Sequence, residues 1–502
     1  MKQPNILYMM SDDLAANAVS CYGSILSEVF QTPNLDRIAQ EGVRMERFYA
    51  TNSICTPARA TIMTGQYGQL NGVRTLLDHW HPEAEGCLNL AQILQDGGYY
   101  TSMFGKWHLH CDPVGFDDYK YLNGVGIEPQ QGVYQDPTFR EKGVEGYVCH
   151  KGYVTDIITD MALADLQCRP KDKPFFMMCH HKAPHDFWEF AERHEHLFDG
   201  IDIPVVDTLF EDRSHRSEAS REYGSSVTPR SKIRNLYNDF RDPDYVTGPL
   251  TGTEDMNFEG KGVAAYQKYL KDYLRTVAAV DESVGAILAE LEAQGELDNT
   301  IVIYTSDQGM FLGEHDYQDK RWSYEESLRA PLVIRYPKEI PAQHVEYAMM
   351  ANIDLAPTLL DYAGIPVPAA MQGESCRNVI RGEHDGFVRE SVYFRYWMHR
   401  AHRHDNPSHY GIRTDKYKLL FYYGLHLDAT IDPVGLASEA TPAGWELYDM
   451  VNDIGERKNL YGDPAYADVV AEMKVLLDQA KVQYQDEDSA YPELMAVRAA
   501  NP

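Results

Sequence analysis

The 502-residue chain is 44% hydrophobic and 24% charged, long enough for one large domain and a smaller one around a sizeable core, which excludes a disordered chain. A formal net charge of −30 argues against a general binder of nucleic acid or of anionic membrane, both of which attract basic patches. No run of about 20 apolar residues marks a membrane-spanning helix, and the eight cysteines lack the close pairs of a zinc site or the density of a disulfide scaffold, so most are read as free thiols.

The N-terminus runs directly into the apolar stretch Ile6 to Met10, too short for a signal peptide, so the chain as it stands is expected in the cytoplasm, or in the periplasm or medium if a leader was removed. Asn5 to Ser11 is a buried strand presenting Asp12 and Asp13 at its C-terminal end, where ligands gather in α/β sheets. Thr32-Pro33 opens a helix that carries Leu35, Ile38 and Ala39 on one face and stops at Gly42; Val43 to Tyr49 is the next strand.

The segment Ser53 to Gly65 reads Ser-Ile-Cys-Thr-Pro-Ala-Arg-Ala-Thr-Ile-Met-Thr-Gly. Pro57 belongs in the first turn of a helix, so Cys55 sits at a helix mouth, where free N–H groups attract anions and Arg59 adds a positive fork. Gln66 to His81 follows as a candidate pocket wall with Asn71, Arg74, His79 and His81.

Leu88 to Leu94 is a helix, and the strand Tyr99 to Phe104 delivers Gly105-Lys106-Trp107-His108. Tyr153 to Leu166 is helical, and the strand Phe175 to Cys179 leads to His180 and His181. From Asp186 to about Gly262 the chain turns polar with little periodicity, an insertion suited to a lid or specificity loop and ordered by its aromatic residues. Tyr266, Leu270, Tyr273, Val277, Val280, Val284, Ile287 and Leu291 then mark one long helix with a core-facing stripe.

Asn299 to Ser306 is a strand ending in Asp307-Gln308, Leu332 to Tyr336 another, and Ile353 to Tyr362 a helix. Beyond a Pro-rich junction at Gly364 to Ala370, the segments Val392 to Tyr396, Tyr410 to Arg413 and Tyr417 to Tyr423 are antiparallel strands, and Ala467 to Val482 closes the chain as a helix. The expected divisions are a large α/β domain over 1–385, with 186–262 inserted, and a small α+β domain over 386–502. Asp12, Asp13 and Asp307 offer hard oxygen ligands for Ca²⁺ or Mg²⁺, of which the larger ion better tolerates scattered loops.

Cys55-Thr-Pro57-Ala-Arg59, continued by Met63-Thr64-Gly65, resembles the signature of type I sulfatases, in which this cysteine is oxidised to formylglycine by a maturation enzyme. Asp12-Asp13, Gly105 to His108, His181 to His185, Asp307-Gln308-Gly309 and Gly313-Glu314-His315 leading to Lys320 support the likeness in the right order, over nearly the whole chain. Trp445 to Asp449, with Asp453, Glu456, Asn459 and Leu460, resembles the C-terminal sheet motif of the same family.

The resemblance implies an alkaline phosphatase-like fold, a large mixed sheet flanked by helices with an antiparallel C-terminal sheet plus helix. It implies a calcium ion held by Asp12, Asp13, Asp307 and Gln308 together with formylglycine 55, Gln308 standing where Asn or His is more usual. Asp307 would take the attacking proton, Arg59 hold the formylglycine, Lys106 and Lys320 bind sulfate, His108 serve as base, and His185 protonate the departing alcohol. One residue more than usual separates His181 from His185, so the choice between them stays open; Lys182 is a further sulfate contact.

The basic, aromatic stretch Arg395 to His409 suits an anionic sugar, with Trp397, His399 and Arg400 as substrate candidates beside Arg74, His79 and His181. The expected substrate is a sulfated saccharide, of the N-acetylglucosamine-6-sulfate or iduronate-2-sulfate kind or an algal fragment. A phosphonate monoester or phosphodiester hydrolase, or a non-catalytic glycan-binding relative, is the alternative.

Overall fold

The computed structural model describes residues 3–123, 131–427 and 435–502. Asn5–Ser11 is buried at every position, and its side chains divide by parity: Leu7 and Met9 join one apolar cluster, Ile6, Tyr8 and Met10 another. A strand covered on both faces reads as a continuous apolar run, which is why no polar alternation marks it. It lies inside a ten-stranded mixed sheet whose order is His344–Glu346, Val43–Met45, Leu332–Arg335, Thr300–Ser306, Asn5–Ser11, Phe175–His180, Tyr100–Gly105, Asp118–Asn123, Thr138–Glu141, Val148–Cys149.

Thr300–Ser306, Asn5–Ser11, Phe175–His180 and Tyr100–Gly105 are neighbours and all parallel, so their C-terminal ends emerge together on one edge. One face of the sheet is covered by Pro33–Gln40, Val154–Cys168 and the 36-residue helix Phe258–Ala293. Cys55–Thr64, Leu90–Asp96 and Leu355–Ala363 cover the other. Every residue of the apolar stripe from Tyr266 to Leu291 is fully buried, as its spacing requires.

That helix begins earlier than the stripe, because the Asn257 side chain accepts from Gly260 N–H and caps it inside the stretch read as an insertion. Residues 186–257 are ordered against it: Trp188, Leu209, Val227, Leu236 and Phe240 are buried in the same cluster. Val43 to Tyr49 is two strands rather than one. Val43–Met45 joins the main sheet, whereas Phe48–Tyr49 leaves it to pair with Met350–Ala351. Gly42 has no left-handed φ; a Cβ there would lie 2.0 Å from the Ile334 carbonyl oxygen, so it is close approach that demands glycine.

Ser391–Tyr396, His409–Thr414, Tyr417–Tyr422 and Gly444–Asp449 form a four-stranded antiparallel sheet, with Ala467–Gln483 packed against it. Tyr49, Tyr67, Phe311, Tyr317, Trp322 and Tyr324, from outside this sheet, share one apolar cluster with it. All eight cysteines are free. Among the described residues no helix is long and apolar enough to cross a membrane.

Gly105, at the end of its strand, combines a φ of +102° with a position where a Cβ would meet the His180 carbonyl oxygen at 1.9 Å. Gly105→Ala is therefore expected to cost on the order of 3 kcal/mol from backbone strain and overpacking, read as a lower denaturation midpoint with an unchanged slope.

Candidate active site

Four parallel strand ends converge on the N-terminus of Cys55–Thr64. Asn5–Ser11 delivers Asp12 and Asp13, Thr300–Ser306 delivers Asp307 and Gln308, Tyr100–Gly105 delivers Lys106, and Phe175–His180 leads to Lys182 and His185. Cys55 is the first residue of a helix buried at all ten positions, which ends where Gly65 takes a left-handed φ of 62°. The thiol donates to Asp12 Oδ1 at 3.3 Å.

Arg59 donates through Nε and Nη2 to Asp307 Oδ2, at 3.1 and 3.0 Å, and through Nη1 to the Lys106 carbonyl oxygen at 2.6 Å. Lys106 Nζ bonds Asp12 and Gln131. Lys320 Nζ donates to Asp13 Oδ2 at 2.5 Å, and Gln308 Nε2 to Asp13 Oδ1 at 2.5 Å. Each of three buried carboxylates thus has its own cation.

One oxygen of each of Asp12, Asp13 and Asp307 lies within 4.8 Å of the others. The Gln308 side-chain oxygen Oε1 beside them is buried and has no hydrogen-bond partner among the described residues. Three carboxylates with an orphaned amide oxygen fit a hard cation.

Burial and the neighbouring Asp12 charge push Asp307 up to about 7. Burial would also lift Asp12, but Lys106, His185 and Arg59 hold it well below the usual carboxylate range. Burial and Asp12 keep the Cys55 thiol well above its ordinary value, so the unmodified side chain is a neutral thiol rather than a thiolate. His108, buried and with a φ of 55°, is held well below the usual imidazole range by burial and by Lys106 and Arg59. Burial and Lys106 bring Lys182 down to about 8.

A cavity of about 510 Å³ opens above Cys55. Lys182, His185 and Lys320 line it, as do Gln131, Asp186, Phe187, Arg234, Asp239, Asp319, Arg321, His402, Arg403 and His404. Another cavity, of about 360 Å³, is lined by Glu46, Arg47, Glu326, Arg329 and Arg413 and contains none of the motif residues.

Several expected substrate residues lie elsewhere. His181 turns its Nε2 to Ser283 Oγ at 3.2 Å, on the long helix, and burial lowers it to about 4. Trp397 is buried beneath Arg395, whose guanidinium carbon stands 3.4 Å from its ring centroid. His399 bonds the Glu439 carbonyl oxygen and the Ser408 N–H, and Arg400 pairs with Asp405 and Glu439. Arg74 stands over the Trp397 ring and His79 stacks on His110, and neither lines the cavity. Of His181 and His185, His185 is the one that lines the cavity.

Asp186, Arg234, Asp239, Asp319 and Arg321 were missed, although Asp319 and Arg321 flank Lys320 and Asp186 follows His185 directly. Arg234 carries no signal, lying 48 residues from the Asp186 it bonds.

The sulfatase family model matches residues 4–365, and that of the N-sulphoglucosamine sulphohydrolase C-terminal region matches 313–483. The chain is 39% identical to an N-acetylglucosamine-6-O-sulfatase of Bacteroides thetaiotaomicron, over 97% of this chain and 88% of that protein. Human arylsulfatase A is 27% identical over 93% of this chain and 85% of its own. A solved structure in complex with its substrate D-glucosamine-2-N,6-O-disulfate superimposes with a TM-score of 0.85 at 38% identity, covering 98% of this chain and 100% of that one. A phosphonate monoester hydrolase of Silicibacter pomeroyi, at 20% identity and a TM-score of 0.68 over 97% and 96% of the two chains, shares the alkaline phosphatase-like fold. Matched from end to end, with cysteine, cations and carboxylates gathered at one sheet edge, this chain belongs to the sulfatase family, the enzymes that hydrolyse sulfate esters.

Proposed function

We propose that the chain removes sulfate from a sulfated carbohydrate, using formylglycine made from Cys55 and a calcium ion held by Asp12, Asp13, Asp307 and Gln308. The observation that carries this reading is the ring of three paired carboxylates around a helix-mouth cysteine, with two lysines and a histidine facing the same space. Hydrated formylglycine supplies two hydroxyls on one carbon, one to attack sulfur and one to expel sulfate, while the calcium ion supplies positive charge at the sulfate oxygens.

The chain's own groups do the rest. Lys106 and Lys320 offer point charges to the sulfate oxygens, with Lys182 beside them. Arg59 fixes Asp307, which takes the attacking proton, and His108 acts as base in sulfate release. The His185 Nε2 stands 3.8 Å from Asp13 Oδ2 at the cavity wall and protonates the departing sugar oxygen. Cys55 is 1% exposed, so the maturation enzyme that this reading requires acts before the helix closes over its substrate.

The relative named for N-acetylglucosamine 6-sulfate and the structure bound to a 6-sulfated glucosamine make such a sugar the first to test. Asp186, Asp319, Arg234 and Arg321 give its hydroxyls both acceptors and donors.

Free sulfate and free phosphate are measured side by side on sulfated glucosamines and on matched phosphodiesters and phosphonates, after the Cys55 peptide is weighed. Sulfate release from a 6-sulfated sugar is expected, and Cys55→Ala is expected to lose all turnover while keeping its melting temperature. Dominant phosphate release would assign a phosphonate or phosphodiester hydrolase, and silence from converted protein a glycan-binding role. Chelation is expected to lower the melting temperature and abolish turnover, with calcium restoring both; Asp13→Ala is expected to lose the calcium response, and a full response in that variant would refute the ligand set.

A further inference from the structure

A closed circuit of polar contacts surrounds the cavity. His185 Nδ1 lies 2.9 Å from both the carbonyl oxygen and Oδ1 of Asp186. Asp186 Oδ2 accepts from Arg234 Nη2 at 3.1 Å. Arg234 also donates through Nε to Asp239 Oδ2 at 3.1 Å and through Nη1 to His404 Nε2 at 3.0 Å. His404 Nδ1 stands 3.1 Å from Asp319 Oδ2. Asp319 Oδ1 is 3.6 Å from Lys320 Nζ, which bonds Asp13 Oδ2, and that oxygen is 3.8 Å from His185 Nε2.

The direction of every bond in this circuit follows from its donors. Arginine has no acceptor, so His404 Nε2 accepts and its proton sits on Nδ1, aimed at Asp319. At the other end both Asp186 carboxylate oxygens are engaged, one accepting from Arg234 and one sharing the His185 Nδ1 proton with the Asp186 backbone carbonyl oxygen, so that proton is held on Nδ1. The other nitrogen, Nε2, is left to face the cavity, and in the doubly protonated ring that a proton donor must be it carries the proton that leaves, the Nδ1 proton staying with Asp186. An imidazole held this way can turn neither its plane nor its tautomer.

We propose that Asp186, clamped by Arg234, is the positioning residue for His185, fixing which nitrogen meets the departing sugar oxygen and at what angle. Arg234 reaches three acceptors in three directions, a task its planar fork performs and a lysine ammonium performs only in part. The segment 186–257 therefore acts on the chemistry as well as walling the sugar. This inference rests on His185 being the proton donor, and the test separates the two claims.

Asp186→Asn, Arg234→Ala, Arg234→Lys and His185→Gln are compared in formylglycine-bearing, calcium-loaded enzyme on 6-sulfated N-acetylglucosamine and on 4-nitrophenyl sulfate, whose phenolate leaves without a proton. Asp186→Asn and Arg234→Ala are expected to lower kcat on the sugar roughly 10²-fold, the scale of one general acid, with little change in KM and a far smaller loss on the aryl ester. Arg234→Lys is expected to recover part of that loss.

Equal losses on both esters, or a change in KM alone, would overturn the proposal and leave Asp186 and Arg234 as wall residues. If His185→Gln separates the two esters and the other variants do not, the positioning claim falls by itself. If His185→Gln does not separate them, the proton-donor assignment falls and takes this one with it. Asp186→Asn and Arg234→Lys, which preserve volume, decide the matter should Arg234→Ala fail to fold.

Discussion

Three carboxylates cannot lie together out of water unless something balances them, and the rest of this molecule is arranged around that constraint. Asp12, Asp13 and Asp307 are each no more than 1% exposed. Lys106, Lys320 and Arg59 neutralise them one for one, each drawn from a different segment. Leaving one such charge without its partner would cost about 3–5 kcal/mol. In the function proposed above, Lys106 and Lys320 would also meet the sulfate oxygens, so the charges that balance the carboxylates are the ones the reaction calls on.

Holding that set requires a rigid frame and a distorted lining. The frame is four parallel strands buried on both faces, whose ends cannot drift without uncovering the apolar layers on either side. The lining departs from ordinary backbone geometry: Asp319, Arg321, His402 and Arg403 all take left-handed φ values, as do Asp13 and His108 behind it. Non-glycine residues adopt that region at a cost of order 1–3 kcal/mol each, and such residues gather at functional sites.

Legibility followed the same division. Asp12, Asp13, Lys106 and Asp307 could be found because each ends an apolar run, and a run ending at a sheet edge fixes its next residue in space. His181 and His185 look alike in a string of letters. The backbone N–H of His181 bonds the Met10 carbonyl oxygen, still in register with the sheet, which sends its side chain toward Ser283. In the stretch from Arg395 to His409, composition could not tell Trp397, His399 and Arg400, which pack or pair away from the cavity, from His402, Arg403 and His404, which line it. Arg234 and Asp239 come from a segment without periodicity, so only the folded chain brings them to the cavity.

The cavity is therefore built in two parts of unlike origin. Its floor comes from strand ends and one buried helix, where any change disturbs the core. Its wall comes from loops within 186–257 and from the turn at 402–404, whose side chains meet across the opening through Arg234 and His404. Variation in those loops can reshape the wall while the strand-end floor stays as it is. A sulfatase built this way can alter its wall without disturbing its floor, and Asp186 stands where the two meet because it belongs to the wall and touches His185.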